Sequence, residues 1–139
     1  MPLAFFDTNV LVYCVDPRSP AKQAAARELV ARHAAAAEGV LSTQVLVELY
    51  SVLTRKHRIA PDTVRALLDG YSAWQVVDTD LRLVQSALDT AQAHGLSIFD
   101  AMVVEAAQRS GAVTLYTEDL QHGRRFGDLT LVDPFRAAA

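Results

Sequence analysis

The sequence predicts an α/β domain, a three-layer α/β/α sandwich around a mainly parallel central sheet. Two observations point there. Short apolar runs alternate with segments of ten or more residues that carry helix periodicity and are punctuated by Gly, Pro, Ser and Thr. Parallel neighbours joined by right-handed crossovers follow from that alternation, because a strand–helix–strand unit closes on one sheet only in that sense.

Leu3-Ala4-Phe5-Phe6 reads as a buried strand running straight into Asp7-Thr8-Asn9 and then into a loop with Asp16 and Pro17. Ser19-Pro20 is an N-cap with proline at the first helical position, opening an Ala-rich helix to about Ala37 that Gly39 ends. Val40–Ser42 is a short strand, and a helix follows from Thr43 to about Lys56. Pro61 starts another helix, with Leu67 and Leu68 on its inner side and Gly70 as its close. Gln75–Val77 is a strand, Thr79 caps a helix to about His94, and Gly95 stops it. Ser97 caps Ile98–Arg109, which Gly111 ends. Val113–Tyr116 and Leu129–Val132 are the last strands, joined by a polar loop.

The 139 residues form one domain, 1–139, long enough to bury roughly two-thirds of the unfolded surface without disulfides or structural zinc. A chain 51% hydrophobic and 21% charged is expected to fold compactly and not to stay disordered. No apolar run approaches the ~20 residues of a membrane span, so no membrane association is expected. No basic region precedes the first apolar run, which argues against a signal peptide. The single cysteine, Cys14, cannot form an internal bridge and fits a reducing cytoplasm, with burial as a small apolar side chain its expected role. The net charge of −3 excludes a global field attracting nucleic acid. The bases cluster, at Arg55-Lys56-His57-Arg58 and Arg124-Arg125, so a local basic rim can coexist with an acidic pocket.

Four carboxylates stand where folding alone would not choose an acid. Asp7 lies at the tip of the first strand, on the edge where open α/β sheets bind ligands. It could instead form only an Asx turn, with Asn9 helping. Asp100 falls on the apolar side of its helix, flanked by Val103, Val104 and Ala107, where an ionised carboxylate needs partners. Ser97-x-x-Asp100 also fits a capping box, a role compatible with ligand binding at the positive helix N-terminus. Glu48 lies about 40° from Val52, at the edge of the Val45/Leu49/Val52/Leu53 stripe, which suits the lip of a cleft or a solvated flank. Asp119 follows Val113–Tyr116, whose tip shares an edge with Asp7 if the two strands are parallel; a one-residue slip would present Glu118 instead.

Acids converging on one cleft repel each other unless cations lie between them. Oxygen-only ligands suit Mg²⁺ or Mn²⁺, and the chain offers no Cys/His spacing for zinc. Such ions support in-line phosphoryl displacement, hence phosphodiester hydrolysis. His33, His57, His94 and His122 show no paired acid/base pattern, which argues against a metal-free ribonuclease.

Phe6-Asp7-Thr8-Asn9-Val10-Leu11-Val12-Tyr13, Val47-Glu48-Leu49, Ile98-Phe99-Asp100-Ala101 and Leu115-Tyr116-Thr117-Glu118-Asp119-Leu120 resemble, in order, the four motif regions of PIN-domain ribonucleases. The likeness is greatest to the VapC-type toxins of bacterial toxin–antitoxin pairs and extends to Leu131-Val132-Asp133-Pro134-Phe135. It implies that Asp7, Glu48, Asp100 and Asp119 form a Mg²⁺/Mn²⁺ pocket in which metal-activated water cleaves single-stranded RNA. Thr8, Asn9 and Thr117 match positions that orient the acids. It further implies a homodimer and a small antitoxin that inserts a segment into the cleft. The fourth motif is the most variable in the family.

Arg55, two turns beyond Glu48 and about 10 Å along the helix, is a candidate RNA contact, although a base near a helix C-terminus is commonly just solvated. Leu46, Tyr50 and Leu53, with Leu67, Leu68 and Tyr71, offer more apolar surface than one small sheet needs, and part of it is expected to form an interface. Two other readings compete. A haloacid-dehalogenase-type phosphatase also places an Asp after its first strand, but the acid expected two residues later is here Asn9, which cannot donate the proton. A PIN fold that binds RNA or protein without cutting it would be expected to lose pocket acids, and this chain keeps all four.

Overall fold

The computed structural model describes residues 2–136. Its six-stranded sheet has the order β3-β2-β1-β4-β6-β5. The strands are β1 (Ala4–Phe6), β2 (Gly39–Ser42), β3 (Gln75–Val77), β4 (Thr114–Tyr116), β5 (Arg125–Phe126) and β6 (Leu129–Val132). All neighbours pair in parallel except β5, which returns antiparallel on β6 through Gly127. β1 and β2 are buried along their whole length, as strands covered on both faces must be.

The helices are α1 (Thr8–Tyr13), α2 (Pro20–Ala35), α3 (Thr43–Arg55), α4 (Pro61–Tyr71), α5 (Leu81–His94) and α6 (Ile98–Ser110). They pack in two groups, α1 through α4 on one another and α5 against α6, which gives the expected three layers. The core between them is led by Phe5, Phe6, Leu11, Leu41, Leu49, Leu53, Leu115 and Leu131. No helix among the described residues is long and apolar enough to cross a membrane.

The direction of travel matters more than the layers. From β1 the chain steps one way, to β2 and β3, and then crosses back to β4 on the other side of β1. The carboxyl edge between β1 and β4 is therefore the point where the winding reverses, and there a crevice opens. The register Phe6↔Tyr116 aligns the two strand tips. Asp7 N–H donates to the Tyr116 carbonyl at 3.0 Å and locks them together.

Several helix ends differ from expectation. Thr8–Tyr13 is a helix and not a loop: Asp7 caps it by accepting from Thr8 N–H, and Val10 and Leu11 are buried beneath it. α2 stops at Ala35, and Ala37 rather than a glycine takes the left-handed turn (φ 55°). Gly39 instead opens β2. α4 runs through Gly70 to Tyr71. Asp80, not Thr79, caps α5, accepting from Leu83 N–H at 2.9 Å, while Thr79 bonds Thr43. Gly95 and Gly111 are the expected left-handed caps. Glu105 is half-buried and accepts from the Thr90 hydroxyl of α5 at 2.6 Å.

Gly39 is required by close approach. A Cβ there would stand 2.4 Å from a ring carbon of Trp74. That ring is held edge-on against Phe6 (centroids 5.8 Å apart) and Tyr71 (5.2 Å), so it has little freedom to retreat. Gly39→Ala is expected to destabilise the fold by about 1–3 kcal/mol through overpacking. A urea midpoint equal to that of the parent would contradict this.

Of the apolar residues expected at an interface, Leu53 and Tyr71 are core, and Leu46, Leu67 and Leu68 are half-buried. Tyr50 is exposed, joined by Val47 on α3 and Phe99 on α6 at 69% and 64% exposure. Cys14 is half-buried in a setting that pushes its thiol up to about 11, so it packs as the small apolar side chain expected.

Candidate active site

Asp7 is buried at the carboxyl tip of β1, beneath the Thr8 and Asn9 that line the crevice. Its backbone ends β1 and its side chain caps α1, so strand and helix together fix the carboxylate. Oδ1 accepts from Thr8 N–H at 2.8 Å, and Oδ2 accepts from the Thr117 hydroxyl at 2.9 Å. Burial pushes its carboxyl up to about 6, against the opposing effect of these two hydrogen bonds; the nearby charges of Asp119 and Glu48 push it further up. An acid held in this state is strained when ionised, and a positive charge beside it would relieve the strain.

The loop after β4 brings the second acid. Thr117 is fully buried, and its N–H donates to the Val132 carbonyl at 3.0 Å. Its hydroxyl oxygen also accepts from Asp119 N–H at 3.2 Å, turning the chain so that Asp119 faces Asp7. Between the two stands Asn9. Its amide nitrogen donates to Asp119 Oδ2 at 3.0 Å and to Asp7 Oδ2 at 3.3 Å, and its Oδ1 accepts from Glu118 N–H at 3.1 Å. Asn9 thus spans α1 and the β4 loop, with its amide NH₂ placed between two carboxylates.

Glu48 comes from α3, the helix that Ser42 caps at the tip of β2. Oε2 accepts from the Thr8 hydroxyl at 3.1 Å, and Oε1 accepts from Gln44 Nε2 at 2.7 Å. The same Gln44 nitrogen reaches the Phe99 carbonyl at 3.3 Å, tying α3 to the first turn of α6 beside Asp100. Asp100 is half-buried there. Ser97 caps α6 by accepting from Asp100 N–H at 3.1 Å, but among the described residues the Asp100 carboxylate has no hydrogen-bond partner, so the reciprocal half of a capping box is not made.

Asp7, Glu48 and Asp119 are thus brought together through Thr8, Asn9 and Thr117, and Asp100 stands one residue from the Gln44 bridge. Their oxygen-only character suits a hard divalent cation. Among the described residues no three acid, histidine or cysteine side chains are drawn close enough to close on an ion as they stand. The Asn9 NH₂ stands between Asp7 and Asp119 in the position of a partial positive charge.

Glu118 is committed elsewhere. It accepts from Lys22 Nζ at 2.6 Å and from the Tyr13 hydroxyl at 2.9 Å, and the Lys22 ammonium also lies over the Tyr13 and Phe135 rings at 5.0 and 5.6 Å. This clamp resolves the alternative between the two neighbours in favour of Asp119 as the acid facing Asp7. The Lys22–Glu118 pairing spans 96 residues and leaves no local trace in the sequence. Gln44 does leave one, since a residue four before Glu48 on a helix faces it.

A groove of about 330 Å³ runs from this site along α3. Its lining includes Asn9, Glu48, Asp119 and the Lys22-paired Glu118, together with Asp16, Arg18, Lys56 and His57. Arg55 is exposed but is not among the lining residues; its two successors are.

The PIN-domain family model matches residues 4–125. No curated protein matches the chain. Among solved structures it resembles Mycobacterium tuberculosis VapC20, a sarcin-ricin loop cleaving toxin, with a TM-score of 0.67 at 20% identity, over 84% of this chain and 89% of that one. A toxin–antitoxin complex from Klebsiella pneumoniae gives 0.69 at 18% identity, over 94% and 97%. The DNA-bound VapBC of Salmonella typhimurium gives 0.66 at 20%, over 96% and 99%. At these identities the likeness to the solved structures is one of fold.

Proposed function

The chain belongs to the PIN-domain family, and from that premise we propose that it is a Mg²⁺- or Mn²⁺-dependent endoribonuclease cleaving single-stranded RNA, the toxin of a toxin–antitoxin pair. The observation that carries the reading is the buried Asp7, interlocked with Asp119 and Glu48 at the reversal point of the sheet and pushed up to about 6. A cation beside Asp7 would relieve the strain of that confined negative charge.

Asp7, Glu48, Asp119 and Asp100 would hold the ion. When bound, such an ion activates water and offsets the charge that develops on the transferring phosphoryl group. The chain's own residues set the geometry. Thr117 and Thr8 fix the rotamer of Asp7, so the acid need not reorganise as charge develops. Gln44 and Thr8 hold both oxygens of Glu48. Asn9 keeps Asp119 directed inward and can release its NH₂ contacts to an arriving cation. Burial of Asp7 excludes bulk water from the floor of the site.

An RNA substrate would be met in the cytoplasm, where this activity is proposed to act. The complexes among the similar structures support an antitoxin partner. Such a partner would inhibit best by presenting Arg or Lys to the acids, since a guanidinium can take the place of the metal's charge. Exposed Val47, Tyr50 and Phe99 offer apolar surface for it or for a second copy in a homodimer.

The test is cleavage of a generic single-stranded RNA by the purified protein. Cleavage is expected with Mn²⁺ or Mg²⁺ and none with EDTA, and size-exclusion chromatography should show a dimer. RNA binding without cleavage in any divalent cation would leave a non-catalytic binding module in place of the enzyme.

A further inference from the structure

The groove changes sign along its length. Glu48, Glu118 and Asp119 line it around Asn9, with Glu118 already paired to Lys22, while Arg18, Lys56 and His57 line it around Asp16, which lies beside His57. The acid among those bases is already satisfied: Asp16 Oδ1 and Oδ2 accept from Arg18 Nε and Nη2 at 3.0 Å each, and Oδ1 also accepts from Arg18 N–H at 3.0 Å. The Asp16 side chain is only 8% exposed and that of Arg18 is 66% exposed, so the pair presents its guanidinium outward and hides its carboxylate. Arg18 holds the Asp16 carboxyl down at about 2, which keeps the pair intact at any working pH. Lys56 and His57 have no ion-pair partner among the described residues.

Glu48, Val52 and Lys56 form an i, i+4, i+8 row on α3 and its cap, which sets Lys56 about 12 Å along the axis from the acid. Stabilising the helix C-terminus would explain a base at position 55 equally well. It does not explain why the base in the groove is the one on the Glu48 row, facing an outward-turned arginine from a different part of the chain. A ligand that needs a cation at one end and supplies anions at regular spacing toward the other matches this pattern, and a phosphodiester strand is such a ligand.

Resting on the ribonuclease reading above, we propose that this groove is the track of the RNA strand, with Lys56 and Arg18 holding the phosphates next to the one cut at the acids and His57 lining the path between them.

The experiment is a salt titration of binding, in Ca²⁺, of a short fluorescently labelled single-stranded RNA whose integrity is checked on a gel. Kinetics in Mn²⁺ run alongside. Lys56→Gln is expected to weaken binding about fivefold and to flatten the slope of log K against log salt by about 0.7, one single-strand phosphate contact. It should raise KM while leaving kcat near the parental value. The Lys56→Gln/His57→Gln double variant should weaken binding further. Lys56 is exposed and His57 half-buried, and neither side chain has an ion-pair or hydrogen-bond partner among the described residues, so both variants should melt close to the parent. Arg32→Gln, at the far end of α2, removes the same charge from the opposite edge of the sheet and should bind as the parent does. A parental slope in both groove variants, with RNA still cut, would overturn the track and leave the ribonuclease reading standing. A protein that neither binds nor cuts RNA would overturn both. Variants that lose affinity for a co-expressed antitoxin but keep the parental RNA slope would make the groove a protein seat and overturn the track.

Discussion

Asp7→Asn is expected to lower Mn²⁺-dependent RNA cleavage by about a thousandfold or more and, in the absence of metal, to raise the melting temperature at neutral pH. The two effects have one cause. Burial and the charges of Asp119 and Glu48 raise the Asp7 carboxyl from 3.8 to about 6 in the folded chain. The folded state therefore binds this proton more tightly than the unfolded chain does. The stability it contributes is fully present below about pH 3.8 and is lost as the pH rises through about 6. A shift of this size corresponds to about 3 kcal/mol, less the hydrogen bond that an Asn cannot reproduce with both Thr8 and Thr117. Thermal melts in EDTA between about pH 5 and pH 8 should fall for the parent and stay nearly level for the variant. Saturating Mn²⁺ should restore the parent at the upper end, because a ligand that binds only the folded state stabilises it. Cleavage at the parental rate by Asp7→Asn would remove Asp7 from the metal set, and a parent whose melting temperature does not change across that window would contradict the raised Asp7 carboxyl.

Five of the six strands and the long helices were legible because burial on both faces and helix punctuation are local properties, whereas the two-residue β5 falls inside the expected polar loop. Gln75–Val77 and Leu129–Val132 stand where the apolar runs put them, and β1, β2 and β4 differ by one residue at the start. The failures were of another kind. Thr-Asn-Val-Leu-Val-Tyr is rich in β-branched residues, whose intrinsic preference is for strand. It becomes α1 because Asp7 caps it and because Val10 and Leu11 reach the core only from a helix. Tertiary context decided, and propensity had nothing to say about it. Gly39 and Gly70 predict helix stops because glycine commonly is one. At Gly39 the reason is the Trp74 ring, contributed by a residue 35 positions away, which no window around the glycine contains.

The site divides along the same line. Asp7 and Asp100 were legible from an acid set at a strand tip and on an apolar helix face. Their company was not. That Asn9 bridges Asp7 to Asp119, and that Lys22 removes Glu118 from contention, depends on side chains from α1, α2 and the β4 loop meeting above the reversal point. Sequence spacing sets Arg55 two turns beyond Glu48 on the same face, but it is Lys56, eight residues on from Glu48, that lines the groove.

Asp100 gives the sharpest test of whether the fourth acid serves the fold or the chemistry. In a complete capping box, replacing either member releases a helix-end N–H and costs about 1 kcal/mol, roughly 3 °C in a domain of this size. In this structure only Ser97 does the capping: its hydroxyl accepts from Asp100 N–H, a bond through the backbone that survives any change of the Asp100 side chain. The Asp100 carboxylate contributes only its charge near the positive end of α6, a few tenths of a kcal/mol. Asp100→Asn is therefore expected to melt within about 1–2 °C of the parent while losing Mn²⁺-dependent cleavage by about a thousandfold. Ser97→Ala should do the reverse, lowering the melting temperature by about 3 °C and leaving most of the cleavage. If Asp100→Asn instead fell in stability as far as Ser97→Ala and still cut RNA, the carboxylate would be a cap, and the metal set would shrink to Asp7, Glu48 and Asp119.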